Sequence, residues 1–129
     1  MKIGAVSRLT TVPAKTIRYY ESVGLIPRAD RMDNGYRAYS ENDVATLRFI
    51  SRSRSLGFSV KQVSELLTLW YDQERTSAQV KSMALEHIRE VENKIEELQS
   101  LRTTLTDLTE KCHGDDSPDC PILNDLARH

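Results

Sequence analysis

Cys112 and Cys120 are the only two cysteines in 129 residues, and a short polar loop, His113-Gly114-Asp115-Asp116-Ser117-Pro118-Asp119, separates them. Two thiolates so placed can close on one ion. Soft thiolates favour Cu(I) and its heavier relatives, and two-coordinate binding suits those monovalent ions better than zinc. Cys120 directly precedes Pro121-Ile122-Leu123-Asn124-Asp125-Leu126, an amphipathic segment with proline at its first position. A helix there turns its positive end toward the sulfur and favours the thiolate. A bis-thiolate centre with a monovalent ion is negatively charged, so burying it calls for positive or hydrogen-bonding neighbours. Rival readings stay open at this point. His113 with an aspartate would permit four-coordinate zinc, and the pair could instead be redox-active or inert thiols. The spacing is not Cys-x-x-Cys and no catalytic partner sits nearby, which speaks against a thiol oxidoreductase and for no enzyme at all.

A second group of residues suits a different chemistry. Lys15, Arg18 and Tyr19 fall on one short helical segment and can reach guanine edges or phosphates. Arg31, Tyr36, Arg37, Arg52 and Arg54 follow, on segments better placed for phosphate contact. The charge is divided along the chain: residues 1–60 hold ten Lys/Arg against five Asp/Glu, and residues 61–129 hold eight against fourteen. A basic first half suggests a nucleic-acid end, and an acidic second half a separate assembly or sensing end.

Several elements must position these groups. Ile3, Val6 and Leu9 make a helical face, Thr10-Thr11-Val12 a turn, and Pro13 opens a second helix that Gly24 stops. Two short helices around a tight turn spell helix-turn-helix. Asn34-Gly35 signals a type I′ hairpin, read as a basic wing together with Arg31, Tyr36, Arg37 and Tyr39. Ser40 can cap a helix over about 41–55 with Val44, Leu47 and Ile50 inward. Ser59 and Gln62 form a capping box for a helix over about 60–71. Thr76 and Gln79 form another, and neither Gly nor Pro intervenes before Gly114. A single helix of about thirty-five residues, roughly 50 Å long, is therefore expected. Its stripe of Val80, Ala84, Ile88, Val91, Ile95, Leu98, Leu101, Leu105 and Leu108 needs a partner helix, and a homodimer supplies one.

No apolar run approaches the ~18 residues of a membrane span, and Met1-Lys2-Ile3-Gly4 does not start a secretory signal, so a cytoplasmic location is expected. Thiols there stay reduced. Two cysteines are too few for a four-thiolate zinc or iron–sulfur site in one chain.

Taken together, Ile17-Arg18-Tyr19-Tyr20-Glu21-x-x-Gly24-Leu25-Ile26, Asn34-Gly35-Tyr36-Arg37-x-Tyr39, Ile95-Glu96-Glu97-Leu98-Gln99-x-Leu101 and Cys112-x-Gly114-Asp115-Asp116-Ser117-x-Asp119-Cys120-Pro121-Ile122 resemble the MerR family of metal-responsive regulators. Within that family the last motif is similar to the CueR-like copper branch. The resemblance implies a mainly α fold. A winged helix-turn-helix DNA-binding domain (1–71) is followed by a dimerisation helix (76–111) pairing as an antiparallel coiled coil. A metal-binding loop with a short C-terminal helix (112–129) completes the chain.

The resemblance further implies a transcription activator that occupies promoter DNA whose recognition elements lie too far apart. Effector binding distorts that DNA for RNA polymerase, at a cost within what smooth bending requires. It implies Cu(I) as the effector, one per Cys112/Cys120 pair, and copper efflux or detoxification genes as targets. The alternatives are Ag(I) or Au(I) on the same scaffold, or a thiol-redox response. Ser77 occupies the place where divalent-metal members carry a third cysteine from the other subunit, and Lys81, one turn on, could offset the site's remaining charge.

Overall fold

A computed structural model describes residues 1–28, 30–31 and 37–128. Among the described residues six helices and one two-residue ladder follow one another: α1 (Ile3–Thr10), α2 (Ala14–Ser22), β1 (Asp30–Arg31), β2 (Arg37–Ala38), α3 (Glu41–Ser55), α4 (Val60–Tyr71), α5 (Ser77–Lys111) and α6 (Pro121–Arg128). The chain divides into two compact units, residues 1–80 and residues 81–129.

In the first unit α1 packs on α2 and α3, and α3 packs on α4. The core beneath them gathers Val6, Val12, Ile17, Tyr20, Leu25, Ile26, Tyr39, Val44, Leu47, Ile50, Val63 and Leu67. Val44, Leu47 and Ile50 face inward as the periodicity predicts. The expected inward Leu9 does not: it is 51% exposed, and Thr10 is buried instead. Spacing of three and then four residues from Ile3 through Val6 to Thr10 keeps one face, whereas Leu9 falls on its flank. Thr10 satisfies its hydroxyl by donating to Val6 O at 2.8 Å.

The α1–α2 turn pivots on Thr11, whose φ of 59° places it in the left-handed region as the C-cap of α1. Pro13 stands one residue earlier than expected. Its ψ of 144° leaves it extended as the N-cap of α2, while its carbonyl accepts the first helical bond from Ile17 N–H. Gly24, at φ 80°, ends the segment after Val23 as predicted.

β1 and β2 pair antiparallel, Asp30 opposite Ala38 and Arg31 opposite Arg37. The predicted Asn34-Gly35 turn and Tyr36 lie outside the described residues. Tyr39, assigned to the wing from sequence, belongs to the core. It is 3% exposed, its hydroxyl donates to the buried Glu21 carboxylate, and its backbone exchanges bonds with Met1. A phenol hydroxyl buried in an apolar core needs a partner, and Glu21 provides it.

Both capping boxes in this unit form as the sequence suggests, and a third appears. Ser59 and Gln62 bond reciprocally at the start of α4, Thr76 and Gln79 at the start of α5, and Ser40 and Asp43 at the start of α3.

In the second unit α5 runs on without a break to Lys111, and α6 follows the cysteine loop. Neither helix has a fully buried residue. Leu85, Ile88, Val91, Ile95, Leu98, Leu101 and Leu105 are each between 42% and 59% exposed on the single chain. Among the described residues, no helix is long and apolar enough to cross a membrane.

Candidate metal loop and nucleic-acid interface

α5 ends at Lys111, and Cys112 donates its backbone N–H to Thr109 O at 3.2 Å, so the first thiol hangs from the last turn of the long helix. The loop then turns through Gly114 at φ 63°. Asp115 Oδ1 accepts from Ser117 N–H at 3.0 Å and Ser117 Oγ from Asp119 N–H at 3.2 Å, two local brackets that fold the loop back. Cys120 is the N-cap of α6, since its carbonyl accepts the Asn124 N–H at 3.1 Å.

That position decides its chemistry. The first N–H groups of a helix have no intrahelical partners. Those of Leu123 and Ile122 point at the Cys120 sulfur, where a Ser or Asp would ordinarily cap. The Leu123 N–H, then the Ile122 N–H and the Cys112 thiol hold the Cys120 thiol below its ordinary value, against partial burial and the nearby Asp119 charge. The Cys112 thiol is thus near enough to act on Cys120, the sulfur that caps α6. Both cysteines are free and half-buried. This donor set fits a soft ion held by two thiolates.

Among the described residues no group of three or more His, Cys, Asp and Glu gathers in ligating geometry. His113 lines an open groove of about 440 Å³ with Lys111, Asp119 and Arg128. Ser77 opens α5 and Lys81 follows one turn later; both are exposed. Cys112 follows the last residue of the same helix, whose thirty-five residues rise roughly 50 Å.

At the basic end, α2 buries Ile17, Tyr20 and Glu21. The opposite face presents Lys15, Arg18 and Tyr19, all exposed and at helical spacing. Arg52 is exposed in the last turn of α3. Arg54 is exposed too, but its Nη1 donates to Phe58 O at 2.8 Å, so it also fastens the turn between α3 and α4. Arg31 and Arg37 stand opposite one another in the two-residue ladder. Two arginines escaped sequence reasoning. Arg48 Nη2 reaches Leu9 O in the last turn of α1 at 3.4 Å, and Arg75 caps the end of α4. The available signal was the general affinity of arginine for helix C-terminal carbonyls, which does not say which helix.

The helix-turn-helix, the ladder after it and the long helix define a class of DNA-binding regulators. Residues 1–69 match the family described as MerR HTH family regulatory protein, and residues 44–108 match MerR, DNA binding; the chain belongs to the MerR family of transcription regulators and is not an enzyme. It is 54% identical over 127 residues to heavy metal-dependent transcription regulator 2 of Rhizobium meliloti, covering 98% of this chain and 86% of that protein. Similarity to the HTH-type transcriptional regulator CueR of Escherichia coli is 42% over 127 residues, 98% of this chain and 94% of that one. The solved transcription regulator PbrR691 of Ralstonia metallidurans, in complex with lead(II), superposes with a TM-score of 0.81 at 33% identity, covering 98% of each chain.

Proposed function

We propose that this chain is a metal-responsive regulator that acts as a homodimer on promoter DNA, with Cys112 and Cys120 binding one Cu(I), or Ag(I) or Au(I), per chain. The observation that carries the reading is the adjacent thiol pair with the Leu123 and Ile122 N–H groups aimed at Cys120. Those donors supply the hydrogen bonds that a negatively charged bis-thiolate centre needs once it leaves water. Cys112 and Cys120 would hold such an ion between them, and holding it would fix the loop between the end of α5 and the start of α6.

Dimerisation is supported by the half-exposed apolar stripe of α5, which no single chain covers. Burying the remainder of seven such side chains is worth about 1 kcal/mol each, enough to drive helix pairing. An antiparallel pair would bring Ser77 and Lys81 of one chain to the cysteine loop of the other. Serine adds no third thiolate there, which keeps the site two-coordinate, and Lys81 would offset its charge. In the basic half of the chain Lys15, Arg18 and Tyr19 would enter the major groove. Arg31, Tyr36, Arg37, Arg52 and Arg54 would hold phosphates, leaving RNA polymerase to read the distorted promoter. Copper efflux or detoxification genes are the targets this reading implies.

A second reading, response to a divalent ion, is favoured by the likeness to the lead(II)-bound regulator. Metal titration with X-ray absorption separates the two. The expected result is one Cu(I) per chain with two sulfur neighbours, lost in Cys112→Ser and in Cys120→Ser. Tight binding of lead(II) or zinc(II) with three or more ligands would contradict it.

A further inference from the structure

Residues 72–76 join α4 to α5, and a closed set of hydrogen bonds holds them. Asp72 Oδ1 accepts from Glu74 N–H at 2.9 Å, and Asp72 O from Arg75 N–H at 3.3 Å. The Arg75 guanidinium turns back on α4. Its Nη1 donates to Trp70 O and Asp72 O, both at 3.0 Å, and reaches Leu69 O at 3.4 Å. The last carbonyls of a helix lack partners and carry the negative end of its dipole, so one guanidinium answers both needs. The next residue, Thr76, is already the cap of α5 through its reciprocal bonds with Gln79. A single side chain thus closes α4 while its own backbone leads directly into α5.

The end of α4 is tied in turn to α3. Trp70 stacks on Phe49 with centroids 4.5 Å apart and planes 8° from parallel, and the Tyr71 hydroxyl bonds Thr46 Oγ1 at 2.6 Å. α3 packs on α1 and α1 on α2, which presents Lys15, Arg18 and Tyr19. Packed contacts therefore run without interruption from the end of α4 to the helix-turn-helix, and residues 72–76 carry the chain from α4 into α5. Contiguity alone is not coupling; coupling requires that this path move as a body.

We infer that Arg75 is the positioning residue that stiffens the α4–α5 junction, so that a displacement of α5 reaches the helix-turn-helix instead of being absorbed in residues 72–76. The inference rests on the metal-responsive reading above. A five-residue connector without this clamp would be a hinge, and the metal would still bind while the DNA end stayed put.

The test uses the full chain, Ag(I) as the probe, and two variants. Arg75→Met keeps the stem and removes the donors; Arg75→Lys keeps the charge and loses the planar fork. Three quantities are measured: Ag(I) affinity, promoter affinity without metal, and Ag(I)-induced transcription in vitro. For Arg75→Met, induction is expected to fall about tenfold, within the usual range of coupling between sites, while both affinities change less than about threefold. Arg75→Lys should be intermediate, and it decides the matter if Arg75→Met does not fold. Wild-type induction in either variant overturns the proposal. Loss of metal-free promoter binding together with induction also overturns it, because that marks a cap needed only for folding. If the wild-type chain itself ignores Ag(I), the metal-responsive reading falls and takes this proposal with it, an outcome distinct from a wild type that responds and a variant that responds equally.

Discussion

At the scale of single residues, position on a helix end does more than residue type. Cys120 matters as a thiol at an N-cap, where the Leu123 and Ile122 N–H groups meet it. Tyr39 shows the converse: an exposed hairpin tyrosine by pattern, it is a core residue by contact, because its hydroxyl finds the buried Glu21. Tyr39→Phe should cost about 1.5–3 kcal/mol, the range for hydrogen bonds to charged groups, read as a lower urea midpoint at fixed protein concentration. No measurable loss would show that the bond contributes nothing net. Thr11 carries strain of the opposite kind, a β-branched residue held at φ 59°. Thr11→Gly removes a left-handed penalty of about 1–2 kcal/mol and loses part of it to chain entropy, so a net gain of about 0.5–1 kcal/mol is expected in the same measurement. A destabilised Thr11→Gly would mean that the side chain earns its place through contacts.

At the scale of elements, much was legible because the punctuation is local. Ser59 with Gln62 and Thr76 with Gln79 mark the starts of α4 and α5 by spacing alone, and both boxes form. Gly24 stops its segment for a reason a single residue carries, the freedom to take φ 80°. The cysteine loop was legible in the same way, since Pro121 announces the helix that Cys120 caps. Illegible were the choices made by packing. Leu9 and Thr10 compete for one face of α1, and only the neighbouring helices decide between them. Arg48, Arg54 and Arg75 look like ordinary surface charges until the carbonyls they meet are in place. The apolar stripe of α5 belongs to this scale as well. Ile95 is 48% exposed on the single chain. Ile95→Glu, which sets a charge into each half of the proposed seam, should shift sedimentation at micromolar concentration from dimer to monomer. A dimer unchanged by this substitution would place the interface elsewhere.

At the scale of the whole molecule, the chain divides its charges and its chemistry between two ends. The exposed face of α2 lies in the basic half, and the thiol pair lies in the acidic half. Arg18→Ala should weaken promoter binding at least tenfold, as expected for loss of a base or phosphate contact of about 1–3 kcal/mol, while Ag(I) affinity stays within about twofold. Parallel loss of metal affinity would show that the two ends are not separable. Salt should lower promoter affinity steeply if Lys15, Arg18 and the arginines of β1, β2 and α3 neutralise phosphates. The most direct measurement is transcription in vitro from the chain's own promoter, comparing Cu(I), Ag(I), Au(I), Zn(II), Pb(II) and Hg(II). Activation by the monovalent ions alone, abolished by Cys112→Ser and by Cys120→Ser, is the expected result; equal activation by Zn(II) or Pb(II) would contradict the two-thiolate, monovalent site.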